Sequence, residues 1–294
     1  MNRNRHDNNS SIKPFLRWAG GKTRLINELE KCHPKERLQL SGRYYEPFLG
    51  AGSLFFRLQP QRATLSDNNK DLIDCYSVVQ RNPNELWEKL RVHIENNSKE
   101  YYYSKREDYN TITNTIERAA LFIYFNKSCF NGIWRVNKQG EFNVPYGYKD
   151  KIILPSQNNF ENLSKTLKAV NLYSKSYKSV TKYARKNDFI YFDPPYPPLN
   201  GTSYFTHYTR EGFTLIDHEI LSNEVIRLHD KGCLVMVSNA DTSDIREYYC
   251  DSIFQKHSID VVRYLRSKGL CQRVRELIIT NYNVGLDNYM KINQ

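Results

Sequence analysis

Two textures of apolar and polar positions run along the chain. Over the first 70 residues, short apolar runs interleave with turn residues: a loop closing on Gly20-Gly21, helical spacing over 22–32, a strand over 43–48, a glycine turn, a helix over 53–58 and a strand over 63–65. This alternation predicts the opening of a doubly wound sheet. Between 70 and 155 the pattern becomes helical and polar, rich in Asn, Tyr and Lys, with helical spacing over 86–94 and 116–125. That change predicts an inserted, mainly helical subdomain. Strand-like runs return at 169–172, 188–192, 233–238, 259–264 and 276–281, with helical spacing over 215–229. The segment LIIT at 277–280 fits a buried helix by periodicity alone, while its Ile and Thr favour a strand. The expected fold is therefore α/β: a doubly wound, mostly parallel, seven-stranded sheet built from 1–69 and 156–294 and interrupted by the 70–155 insert.

Composition narrows the partners. The 294 residues carry 43 Lys plus Arg against 32 Asp plus Glu, a net charge of +11, with 39% hydrophobic residues. Such a chain is not disordered as a whole, and its charge favours a polyanion. No apolar run approaches the roughly 20 residues needed to span a bilayer, and the opening MNRNRHDNNSS is polar. A cytoplasmic location without a membrane partner is expected. The cysteines, Cys32, Cys75, Cys129, Cys233, Cys250 and Cys271, show no Cys-x-x-Cys pair and no clustering with histidine. Reduced thiols fit better than a disulfide scaffold or a zinc site, and no metal is expected.

Three segments carry candidate chemistry. In YYEPFLGAG (44–52) a strand runs into Gly50-Ala51-Gly52, a turn that lets a ligand approach the backbone or that serves packing alone. The dinucleotide fingerprint needs a small residue where Phe55 stands, so a nucleoside without pyrophosphate fits better; Asp67, after the next strand, is placed to accept ribose hydroxyls. PFLRWAGGKT (14–23) ends like a P-loop but has Leu16 where that motif needs glycine. Lys22 and Trp18 are read instead as lining a cofactor pocket, with packing the alternative for Trp18. In DFIYFDPPYPP (188–198) an apolar strand delivers Asp193-Pro194-Pro195-Tyr196 to the carboxyl edge of the sheet. Consecutive prolines remove neighbouring amide donors, so Asp193 and the Pro194 carbonyl can converge on one amino group, and Tyr196 offers a stacking face. A proline-terminated strand capped by Asp is the plainer alternative.

Taken together, FLRWAGGK (15–22), YYEPFLGAG (44–52), LSDNNKDLI (65–73), NKSCFNGIWRVNKQGEFNVPYG (126–147), DPPYPPL (193–199) and VSNADT (237–242) resemble the Dam-like, D12-class family of DNA adenine-N6 methyltransferases, in the motif order of its alpha group and over nearly the whole chain. The resemblance implies S-adenosylmethionine as cofactor. Trp18 and Lys22 would line its site, the turn carrying Phe48, Gly50, Ala51, Gly52 and Ser53 would pass beneath the methionine portion, Asp67 would hold the ribose, and Ser176 and Tyr177 would meet the adenine. Asp193, Pro194, Pro195 and Tyr196 would hold a flipped target base, with Asp193 bordering the methyl donor as well.

For the insert, the resemblance implies double-stranded DNA as partner. Arg135 would read a guanine edge, Arg17 the outer guanine and Lys127 a phosphate, Phe130, Asn131 and Ile133 would fill space near the opened base, and Pro145 would lie near the last base pairs of GATC. It also implies a monomer in a bacterial or phage-infected cytoplasm, either within a restriction-modification system or acting alone. Cys129, Phe130 and Trp134 depart from the family pattern. Segments 209–213 and 267–273 read as mobile loops, the first closing over the flipped adenine and the second touching phosphate, or as ordinary loops. Methylation of RNA or of a protein amide, and a DNA-binding module without catalysis, stand as rival readings.

Overall fold

Strands Tyr44–Glu46 (β1), Ala63–Ser66 (β2), Val170–Tyr173 (β3), Phe189–Phe192 (β4), Leu234–Ala240 (β5), Gln255–Leu265 (β6) and Leu270–Thr280 (β7) form one seven-stranded sheet in the order β3-β2-β1-β4-β5-β7-β6. This computed structural model describes residues 12–34, 42–149, 151–197, 213–265 and 270–284. β3, β2, β1, β4 and β5 run parallel, and β7 lies antiparallel between β5 and β6. A parallel sheet covered on both faces has strands that read as continuous apolar runs. Accordingly, all of FIYF in β4 is buried, Phe189 and Tyr191 entering one core and Ile190 and Phe192 the other.

The helices are Ile26–Cys32 (α1), Ser53–Leu58 (α2), Lys70–Arg81 (α3), Pro83–Glu95 (α4), Lys99–Thr111 (α5), Thr115–Ser128 (α6), Gln157–Leu167 (α7), Tyr177–Thr181 (α8), Leu215–Asp230 (α9) and Ser243–Tyr248 (α10). Leu221, Val225 and Leu228 of α9 and Ile245 of α10 cover one face. The opposite face shares a continuous core with the connection between β2 and β3, through Phe15, Tyr76, Phe122 and Phe160. Among the described residues no helix is long and apolar enough to cross a membrane.

Several boundaries differ from the sequence reading. The first helix starts at Ile26, not at 22, because Leu25 N–H closes a turn on the Lys22 carbonyl while the Lys22 ammonium is drawn to the Gly20 carbonyl. β1 stops at Glu46 because Pro47 cannot donate to a ladder. LIIT is strand, paired with β5 and β6. Of the presumed loop 267–273, residues 270–273 belong to β7, where pairing with β6 satisfies their backbone; 267–269 lie outside the described residues, as do 209–212 and the Pro198 and Leu199 that end DPPYPPL.

Candidate functional site

The order of strands reverses between β1 and β4, and ligands of open α/β sheets bind at the carboxyl edge of such a switch point. The glycine turn after β1 and Asp193–Tyr196 after β4 both open there. Asp193 is the centre of a tight polar cluster. Its Oδ1 lies 2.7 Å from Lys22 Nζ and accepts Ser238 Oγ–H at 2.8 Å. Among the described residues, Oδ2 has no hydrogen-bond partner. Burial raises the Asp193 pKa, opposed by the Lys22 ammonium and the Ser238 hydroxyl. Lys22, only 6% exposed, also donates to the Gly20 carbonyl at 2.7 Å and stands 4.5 Å over the Tyr196 ring. The structure therefore brings Lys22, Asp193 and Tyr196 together from segments that the sequence holds far apart.

The sheet contributes residues that the sequence reading passed over. Glu276 of β7 accepts the Tyr196 hydroxyl at 2.9 Å, fixing the ring's tilt. A charged residue inside the apolar run VRELIIT was the available signal. Ser238 of β5, itself paired with Tyr191 OH at 2.9 Å, and Asn239 are polar ends of an apolar strand beside β4. Asn239 Nδ2 meets His218 Nδ1 at 3.2 Å, which makes Nδ1 the acceptor and leaves the proton on Nε2, beside the Pro195 carbonyl. Burial depresses the His218 pKa to about 4, so this ring is neutral beside the proline turn.

Glu46, at the end of β1, is buried beneath the cluster and accepts Tyr44 OH at 2.6 Å. Burial, with Asp193 nearby, pushes its pKa up to about 8. It is therefore protonated at neutral pH, and the sign of its linkage follows: the contribution of that proton to stability is complete below the ordinary value of 4.5 and is lost as pH rises through about 8. Glu46→Gln mimics the protonated form. Urea unfolding of the variant is expected to show a smaller loss of stability between about pH 5 and 8.5 than the wild type; an unchanged pH profile would mean that Glu46 is ionised in the fold.

The cofactor residues named from the sequence gather at the same edge. Gly50 has φ +48°, and a Cβ there would lie 2.8 Å from Trp18 Cδ1, so the indole packs directly on the turn. Gly50 N–H donates to Asp67 Oδ2 at 3.1 Å and Asn69 N–H to Oδ1 at 2.9 Å. Among the described residues, the hydrogen-bond partners of Asp67 are backbone amides, so no cation occupies its carboxylate. Ala51 and Gly52 complete the turn, and Ser53 opens α2. β3 lies beside β2, which puts Ser176 and Tyr177 at the start of α8 near Asp67. Ser176 is exposed and pairs with Ser179, while the Tyr177 ring stacks on Phe48 at 5.5 Å. Among the described residues, no group of three or more His, Cys, Asp or Glu could hold a metal.

A second cluster surrounds the hairpin that follows α6. Bridges Cys129–Tyr146 and Val136–Phe142 close it, and Tyr102 of α5 anchors its stem by donating to the Val144 carbonyl at 2.8 Å. Trp134, larger than the family pattern suggested, fills the hairpin's base between Phe122 at 4.2 Å and Phe142 at 4.5 Å. Phe130, 53% exposed, and Asn131, at φ +55°, project from the short turn at the hairpin's base, where Phe130 N–H donates to the Pro145 carbonyl, with Ile133 half-buried behind them. Arg135 and Pro145 are exposed on the strands; Arg135 Nε donates to Asn143 Oδ1 at 2.9 Å, a partner not foreseen from the sequence. Asn126, fully buried, accepts Arg17 N–H at 2.8 Å and donates to the Arg17 carbonyl at 2.6 Å, locking Arg17 against the hairpin. Lys127 lies next to it, half-buried.

Comparison with known proteins matches residues 18–265 to the D12 class N6 adenine-specific DNA methyltransferase family. The type II methyltransferase M1.LlaDCHI of Lactococcus lactis subsp. cremoris is 38% identical over 283 residues, covering 94% of this chain and 97% of its own length. M.MjaIII of Methanocaldococcus jannaschii, also a type II methyltransferase, is 39% identical over 292 residues, covering 92% and 99%. The DNA adenine methylase of Escherichia coli K12 is 34% identical over 276 residues, covering 93% and 96%. These relationships set aside the readings as an RNA or protein-amide methyltransferase and as a module without catalysis. The chain belongs to the D12 class of N6 adenine-specific DNA methyltransferases.

Proposed function

We propose that the protein methylates N6 of an adenine flipped out of double-stranded DNA, with S-adenosylmethionine as methyl donor and GATC as the preferred sequence. The observation that carries this reading is the Asp193 carboxylate, tied through Oδ1 and unpaired at Oδ2 among the described residues, beside the Pro194 carbonyl at the carboxyl edge of β4. Residues 1–69 and 156–294 form the catalytic part and 70–155 the DNA-reading part.

The residues at the switch point fit the cofactor. Asp67, held among the described residues by backbone amides, retains acceptor capacity for a diol, and the closely packed Gly50–Trp18 contact offers an aromatic wall next to it. Phe48 and Tyr177 supply further ring surface. When bound, S-adenosylmethionine supplies a methyl group activated by a sulfonium. The protein's own work is at the amine. Adenine N6 is a weak nucleophile because its lone pair is delocalised into the ring, and inside a duplex it is stacked out of reach. Asp193 Oδ2 and the Pro194 carbonyl accept its two hydrogens, which favours a pyramidal nitrogen and directs the lone pair away from both acceptors. Burial makes Asp193 a better acceptor for the proton that the nitrogen releases than an exposed carboxylate would be. Tyr196, braced by Glu276, fixes the plane of the purine.

Base flipping is tested with 2-aminopurine in place of the target adenine. Its fluorescence is expected to rise when protein and cofactor are added to a GATC duplex and to stay low with scrambled duplex; no rise on either would contradict extrusion. In the hairpin, Asn143 orients Arg135. Asn143→Ala is expected to lower discrimination against a single altered base pair several-fold, about 1 kcal/mol, measured as a ratio of kcat/KM values. An unchanged ratio would show that Arg135 needs no such support.

A further inference from the structure

At the foot of the hairpin, between the N-terminal segment, the end of α6 and α7, lies a cavity of about 370 Å³. Five of its lining side chains are cations: Lys13, Arg17, Lys127, Lys149 and Lys151. The remaining described lining residues are apolar apart from Asn159, and none is acidic. Lys149 Nζ donates to the Lys127 carbonyl, which draws both lysines to one wall. Packing like charges around a partly apolar floor of Phe15 and Leu163 costs free energy unless an anion enters. The cost is visible on Lys127: burial, then Arg17 and Lys149, push its pKa down to about 8. The cavity is continuous with the hairpin, because Arg17 packs on Gly132 at its base, where an added Cβ would lie 3.3 Å from Arg17 Cδ.

We propose that this cavity is a phosphate receptacle that grips the sugar–phosphate backbone of the duplex beside the hairpin, with Lys13, Lys149 and Lys151 as contacts additional to Arg17 and Lys127. The proposal rests on the reading of duplex DNA as the substrate. Phosphate contacts position a duplex and carry no sequence information. They also release counterions, about 0.9 per phosphate neutralised, so each lysine adds to the salt dependence of binding. Lys127 adds a dependence on pH. A phosphate facing it favours the ammonium form, so binding takes up a proton where the free protein has begun to lose one, and affinity falls as pH rises through about 8. Of the other charged groups that line the cavity, Lys13, Arg17, Lys149 and Lys151, it is Arg17 and Lys149 that hold its pKa down together with burial.

The test is duplex binding by fluorescence anisotropy as a function of salt, for the wild type and for the combined variant Lys13→Ala, Lys149→Ala and Lys151→Ala. The variant is expected to bind every duplex about tenfold more weakly at low salt, with the log–log salt slope shallower by roughly 2–3 and the ratio of GATC to scrambled duplex unchanged. In the wild type, affinity is expected to drop between about pH 7.5 and 9, and Lys127→Arg, which stays charged, is expected to flatten that limb. Inorganic phosphate serves as the free-anion probe. Competition no stronger than that of chloride at equal ionic strength supports a backbone phosphate. Specific competition by phosphate together with an unchanged slope in the triple variant assigns the cavity to a free anion and overturns the proposal, as does an unchanged slope by itself. If the wild type binds no duplex at all, the substrate reading itself has failed; if it binds and the variant matches it, only the receptacle has.

Discussion

Replacing Asp193 with alanine is expected to lower kcat by about 10²–10³-fold while changing duplex affinity less than about threefold. In the proposed mechanism the carboxylate meets the reacting nitrogen, whereas the groups read as DNA contacts stand on the hairpin and around its foot. Removing Asp193 also strips Lys22 of its ion pair, leaving a buried ammonium with the Gly20 carbonyl and the Tyr196 ring. That loss alone lowers stability, so alanine is compared with Asp193→Asn, which keeps an oxygen acceptor and the side-chain shape but not the charge. The asparagine variant is expected to retain more turnover than alanine at similar duplex affinity. Near-normal turnover by Asp193→Ala, in a protein shown by its unfolding transition to be folded, would remove the clamp from the mechanism.

Arg135→Ala is expected to cost about 1–3 kcal/mol of discrimination at one base pair, roughly a 5–150-fold change in the ratio of kcat/KM values for the two sequences. A guanidinium reads guanine through two parallel donors, and that geometry depends on the fork being held. The Asn143 contact holds the Nε side at 2.9 Å, and among the described residues Nη1 has no hydrogen-bond partner. The hairpin is itself a firm base, since Trp134 and Phe142 stack at 4.5 Å and Tyr102 ties the stem to α5. The checks are single-turnover rates on duplexes altered one pair at a time. An equal loss on all of them would make Arg135 a phosphate contact.

Much of this was legible in the sequence wherever the controlling interactions are local. FIYF reads as a strand because all four side chains are buried, on alternating faces, and Asp193 follows it directly. The glycine turn, Asp67 and the hairpin also announce themselves in contiguous segments. What the sequence hid depends on distance along the chain. Glu276 meets Tyr196 across 80 positions, and Asn126 meets Arg17 across 109. Neither pairing has a periodic or compositional trace. His218 sits in an ordinary helical pattern, and only the juxtaposition of α9 with β5 brings it to Asn239. The cationic cavity is hidden for the same reason, as Lys13, Lys127 and the pair Lys149 and Lys151 come from three segments far apart along the chain. The start of α1 departs from the helical pattern because Lys22 is taken up by tertiary partners, and the extent of β7 is not legible because the polar residues 271–273 read as loop until β6 pairs with them.

The most direct measurement is the chemical identity of the product: duplex DNA of mixed sequence incubated with methyl-labelled S-adenosylmethionine, digested to nucleosides and resolved by mass spectrometry, with the modified positions mapped. The label is expected on N6 of adenine, within GATC, and to accumulate about 10²–10³-fold more slowly with Asp193→Ala. Label on cytosine, or on adenine to the same extent in the Asp193→Ala reaction, would contradict a carboxylate-and-carbonyl clamp acting on the exocyclic amine.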